Sequence, residues 1–170
     1  MAGILRVDQA NVDYIYAKTA GGKTYIPGHV IQVVQYQYTS SFSTSSSSFV
    51  DVTNFQATIT PTSTNSKVLV TLSTSGTHIG TQSQGEYRIL RNGSDFAGIA
   101  GSRMWTSDGY YGSTTTNDAV SIFLDSPAST SALTYKLQIR NRHSQTMTIG
   151  IDWNGDVAGL HTIILQEIAQ

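Results

Sequence analysis

The residues that could do chemistry are few, and their spacings do not build a site. Residues 17–24 read Ala-Lys-Thr-Ala-Gly-Gly-Lys-Thr and end in the Gly-Lys-Thr of a phosphate-binding loop. That motif needs a strand before it and a helix after it, because the helix N-terminus supplies the amides that hold phosphate. Here Ile26, Pro27 and Gly28 follow almost at once, a strand comes next, and Ala17 stands where the first glycine belongs. A linker is the better reading. Asp152, Trp153, Asn154, Gly155 and Asp156 resemble the start of a calcium loop. An EF-hand loop has glycine sixth and glutamate twelfth; here glycine is fourth and Ile163 twelfth, so the stretch reads as a hairpin turn.

His29, His78, His143 and His161 include no pair at i, i+2 or i, i+4. The carboxylates of the main domain are Asp51, Glu86, Asp95, Asp108, Asp118, Asp125, Asp152, Asp156 and Glu167. They are scattered, mostly beside turns, where Asp commonly caps backbone. Two carboxylates suffice for a glycosidase, but no spacing singles out a pair. No Gly-x-Ser-x-Gly elbow occurs. The expectation is a protein that is not an enzyme, with no cofactor and no metal. Residues 101–118 are the most suggestive loop, since Met104, Trp105, Tyr110 and Tyr111 sit among Ser, Thr and Gly. Rings beside hydroxyls suit sugar recognition, so Trp105, Tyr110 and Tyr111 are candidates for a glycan or receptor loop. The plainer alternative is that they plug one end of the fold or a subunit interface.

Composition narrows the classes further. The chain has 170 residues, 10 Lys+Arg against 11 Asp+Glu, and no Cys. Its charged share of 12% is about half the usual one. Near-zero charge argues against a nucleic-acid partner, whose binding rests on clustered Lys and Arg. Zero Cys removes disulfide scaffolds and cysteine-ligated zinc. Apolar runs are too short to span a membrane. The opening MAGILRVDQ lacks the apolar core and cleavage site of a signal peptide.

The elements that would position any site are strands. Thr, Val, Ile and Tyr favour a pleated surface, and no segment holds a helical period over three turns. In residues 29–38, Val34, Tyr36 and Tyr38 alternate with Gln35 and Gln37. Residues 40–48 read as a Ser-rich flexible loop, 49–60 as one or two short strands and 61–66 as a turn. Residues 67–73 carry Val68, Leu69, Val70 and Leu72 almost continuously, as a strand covered on both faces would. A strand over 86–91 runs into Asn92-Gly93, a two-residue hairpin signal, and returns over 94–99. Val120, Ile122 and Leu124 share one face of a strand over 119–125. Residues 133–140 alternate most cleanly, with Leu133, Tyr135, Leu137 and Ile139 pointing one way. Strands over 147–153 and 161–168 follow. Eight to ten strands with turns between them predict an all-β fold, an antiparallel β-sandwich of jelly-roll type.

The domain organisation is read as an N-terminal anchoring arm over 1–28 and a sandwich knob over 29–170. The arm carries Ile4, Leu5, Val7, Val12, Tyr14, Ile15 and Tyr16. Apolar content of this kind is costly to leave in water, which favours docking, for example onto a partner's sheet edge. Val68, Leu69, Val70 and Leu72, with Ile163, Ile164 and Leu165, are apolar on both sides of their strands. One sheet face is therefore expected to meet neighbouring copies.

A resemblance adds to this reading. The opening MAGILRVD is similar to the openings of tail-fibre-like and other virion structural proteins of aquatic bacteriophages. Further matches are residues 27–34 (PGHVIQVV), 59–70 (ITPTSTNSKVLV), 89–93 (ILRNG), 124–128 (LDSPA) and 163–169 (IILQEIA). In that order they resemble a C-terminal module of such proteins. The resemblance implies a complement/tumour-necrosis-factor-like jelly roll that trimerises, and it implies no catalytic motif. An arm plus a knob, with no shaft between them, suits capsid decoration, with the knob on the virion surface after assembly in the host cytoplasm. The expected partners are other copies of the chain and the major capsid protein, or a tail or baseplate protein. The alternative is a short tail fibre or tip protein that attaches to a host surface glycan; a glycan-cleaving enzyme is more remote.

Overall fold

A computed structural model describes residues 26–79, 85–95, 104–105, 115–150 and 161–170. Ten strands run through them: β1 (Val30–Tyr38), β2 (Phe42–Thr44), β3 (Val50–Ile59), β4 (Lys67–Ile79), β5 (Gly85–Arg91), β6 (Met104–Trp105), β7 (Thr115–Asp125), β8 (Leu133–Asn141), β9 (Thr146–Ile149) and β10 (His161–Ile168). No helix occurs among the described residues. The first sheet runs β1-β10-β4-β7, all antiparallel. The short pair β9-β2 continues it, with β9 meeting the far half of β4. The second sheet runs β3-β8-β5-β6. Consecutive long strands therefore alternate between sheets, which is the wiring of a jelly roll. The all-β sandwich expected from the sequence is the fold.

Alternation builds the core. Leu133, Tyr135, Leu137 and Ile139 of β8 are all buried, and the residues between them are half-exposed. Val68, Val70 and Leu72 on β4 and Ile163 and Leu165 on β10 face them from the first sheet. Burying each such side chain contributes about 1.5–3 kcal/mol. Tyr38 stacks flat on Phe55, with centroids 4.8 Å apart, and His161 meets both rings edge-on.

Two polar locks close the sandwich. Asp125, at the end of β7 in the first sheet, accepts Arg91 Nη1 of β5 at 2.7 and 2.6 Å and the Tyr135 hydroxyl of β8 at 2.6 Å. Burial, reinforced by that bond to a carboxylate, pushes the Tyr135 hydroxyl far above its ordinary pKa. Glu167, fully buried on β10, holds the turn before β4. It accepts the backbone N–H and the hydroxyl of Thr62 at 2.7 and 2.8 Å and Gln32 Nε2 at 2.6 Å. Burial pushes its carboxyl up, but the bonds from Gln32, Ser66 and Thr62 outweigh this and hold it below the ordinary value.

The turns and strand ends follow the sequence in part and depart from it at the Ser-rich stretch and at the end of β4. Asn92 and Gly93 both adopt positive φ, 49° and 79°, and Arg91 and Ser94 exchange two backbone bonds of 2.9 Å across them. That is the expected two-residue hairpin. The Ser-rich stretch 40–48 contains β2 instead of being loop throughout, because Phe42–Thr44 pairs with β9. Gly150 ends β9 at φ 85°, and a Cβ there would lie 2.1 Å from the Ser40 carbonyl oxygen. Strand β3 is one strand with a bulge between Asp51 and Gln56, where Asn54 has φ 64°. Strand β4 runs on to Ile79, six residues past its expected end. Among the described residues, Gly28 N–H donates to Ala169 O at 2.8 Å and Ala169 N–H to His29 O at 2.9 Å.

Candidate functional site

With the inner faces spent on the core, function must use the outer faces, edges or loops. On the first sheet, register aligns three outward rows. They are Val33, Gln166, Leu69 and Leu124; then Gln35, Ile164, Thr71 and Ile122; then Gln37, Thr162, Ser73 and Val120. None of these twelve residues is charged, and six are aliphatic. Val120 is 65% exposed, Ile122 64%, Val33 57% and Leu124 53%. Single exposed aliphatics need no explanation, whereas a contiguous uncharged group of them is a candidate interaction surface.

The seven residues expected at a subunit interface divide between the two sides of this sheet. Val68, Val70, Leu72, Ile163 and Leu165 are fully buried and face the core of their own sandwich. Leu69 and Ile164 face outward and are half-buried within the rows above. Three of the exposed members, Val120, Ile122 and Leu124, were visible in the sequence as one face of a strand. Alternation alone assigns such an apolar face to the core. In fact Ala119 and Phe123 pack against the core, and the more aliphatic side turns out.

The outer face of the second sheet is built differently. Glu86 on β5 is fully buried between two arginines. Arg140 reaches its Oε2 with Nε and Nη2, each at 2.6 Å, and Arg142 Nε pairs with Oε1. The guanidinium carbons of Arg88 and Arg140 lie 4.3 and 4.5 Å from the centroid of the Phe49 ring. Arg88 Nε also donates to Gln138 Oε1 at 2.6 Å, and its Nη1 stands 3.9 Å from Asp95. Next to them Asp51 accepts Lys136 Nζ at 2.8 Å and Gln138 Nε2 at 2.5 Å. The Lys136 bond, helped by Gln138, holds the Asp51 carboxyl below its ordinary pKa. Sequence gave no hint of this cluster, because Glu86 and Arg140 are 54 positions apart and meet only through the β5–β8 register.

Of the three residues expected to meet a glycan, only Trp105 is described, in β6, where the register sets it opposite Glu86. Tyr110 and Tyr111 lie outside the described residues, as do Ile4, Leu5, Val7, Val12, Tyr14, Ile15 and Tyr16 of the expected arm. Among the described residues, no group of three His, Asp or Glu side chains could hold a metal ion.

No protein-family model and no curated protein matches the chain. Among solved structures, it is similar to a chain in the structure of infectious bursal disease virus, Gx strain. The identity is 14% and the TM-score 0.39, over 82% of this chain and 43% of that one. The chain thus spans less than half the length of that neighbour.

Proposed function

We propose that the chain is a non-enzymatic virion structural protein of a phage, a capsid decoration protein whose knob forms a homotrimer. The observation that carries this reading is the uncharged, partly aliphatic outer face of the first sheet. Three copies turning that face toward a common axis would remove Val33, Leu69, Val120, Ile122, Leu124 and Ile164 from water. The sequence resemblance to phage virion proteins supports the same reading. Residues 1–28 would dock each knob on the major capsid protein, leaving the second sheet toward solution.

Two measurements test it. Quantifying this chain against the major capsid protein in purified virions should give a ratio near one per capsid subunit or a simple fraction of it. A ratio far below that places the protein at the tail or a single vertex, and decoration is then wrong. Deleting residues 1–28 should abolish virion binding and leave a folded trimer. Retained binding would overturn the arm's role.

A further inference from the structure

The arginine cluster on the second sheet has a form that core stability does not require. Arg88, Arg140 and Arg142 converge from β5, β8 and the residue just past β8, and they outnumber the one carboxylate buried among them, Glu86. Asp95 offsets part of this excess from the rim, 3.9 Å from Arg88 and with its side chain 45% exposed. The guanidiniums are held before any ligand arrives. Phe49 is a floor for two of them, and Glu86 anchors two. Their side chains still show 25%, 20% and 37% of their surface to solvent. Ordering a flexible cation on binding costs free energy, and here much of that cost is already met.

We infer that this face binds an acidic polysaccharide, one bearing carboxylate or sulfate groups. Guanidinium forks match such planar or tetrahedral oxyanions with paired hydrogen bonds. Along β8, Thr134, Lys136, Gln138 and Arg140 project on the same outward side at alternate positions. They make a polar strip on which a linear, hydroxyl-rich chain can lie. An acidic peptide fits less well. An arginine cluster can also take an acidic peptide, but Glu86, Arg88, Gln138 and Arg140 stand on the paired strands β5 and β8, away from a free edge where a peptide could add main-chain hydrogen bonds. The inference does not depend on whether the knob sits on capsid or tail.

The test is calorimetric titration of the full chain with oligogalacturonate (carboxylate), heparin-derived oligosaccharide (sulfate), dextran oligosaccharide (neutral) and oligoglutamate (acidic peptide). At least one acidic sugar should bind, weaken as salt rises and exceed dextran by at least about tenfold in affinity. Arg88→Gln spares the Glu86 pairs, so it should fold normally and still lose about tenfold in affinity. Lys67→Gln, on the first sheet, should bind as the native chain does. Arg140→Lys keeps the charge but loses the fork, and should weaken binding as well. Absence of binding to both acidic sugars, dextran binding equally well, or unchanged affinity in a folded Arg88→Gln would each overturn the site. Oligoglutamate binding as tightly as the acidic sugars would overturn the assignment to polysaccharide. Trimer and copy-number results read the decoration proposal separately.

Discussion

The two outer faces of this sandwich come from the same strand alternation, yet their chemistry is opposite. The first sheet turns out Val33, Leu69, Val120, Ile122, Leu124 and Ile164 among Gln, Ser and Thr, without one charge in three rows. The second turns out Glu86, Arg88, Lys136 and Arg140, cross-linked to each other and to Asp51 and Gln138. A chain with so few charges could have spread them evenly. Keeping these three rows free of charge leaves them able to meet a matching surface without burying an unpaired charge, which costs several kcal/mol, and Lys67 stands one row beyond them, opposite Ile168. Under the two proposals above, the faces would do distinct work: association on the first sheet, polar recognition on the second.

The comparison can be broken at several points, and the largest effect belongs to neither outer face. Leu72→Ala, on the inner side of β4, should lower unfolding stability by about 2–5 kcal/mol through a core cavity, read by urea unfolding. On the same strand, Leu69→Ala faces outward, so it should weaken self-association far more than it weakens the isolated fold. Equal loss of fold stability from both would mean the outer face is ordinary packing. Ile122→Glu with Leu124→Glu should convert the oligomer to a folded monomer, read by light scattering and circular dichroism. Glu167→Gln should cost about 1–3 kcal/mol, since it unbalances bonds to a buried carboxylate.

The pH response follows from the same group. The folded pKa of Glu167 lies below its ordinary 4.5, and that of Asp51 below 3.8. Their stabilisation is therefore complete above those values and is lost as pH falls through the depressed ones. Native chain should lose stability below about pH 4.5 more steeply than Glu167→Gln does, measured by thermal melts across pH 2–7. Salt gives the smallest and most discriminating effect. Raising it to 0.5 M should leave self-association through the uncharged face nearly unchanged and weaken acidic-sugar binding.

Much of the architecture was legible in the sequence, because strand alternation is a local signal. Leu133, Tyr135, Leu137 and Ile139 announced the inner face of β8, and Asn92-Gly93 announced its hairpin. What stayed hidden depends on partners distant in sequence. Nothing in the Ser-rich stretch 40–48 shows that Phe42–Thr44 will find β9 some hundred residues later. The aliphatic face of β7 reads as core until the register places it on the outside beside Leu69. Glu86 looked like one scattered carboxylate, and only the β5–β8 pairing brings it to Arg140. The candidate site was the less legible part for this reason: both faces are products of register, which composition and periodicity do not fix.

The central claim is that the uncharged face of the first sheet joins copies of this chain. Light scattering of the full chain at micromolar concentration tests it most directly. The account predicts a mass of about 55 kDa, three times 18.3 kDa, falling to 18.3 kDa in Ile122→Glu with Leu124→Glu. A native chain that stays at 18.3 kDa would contradict it.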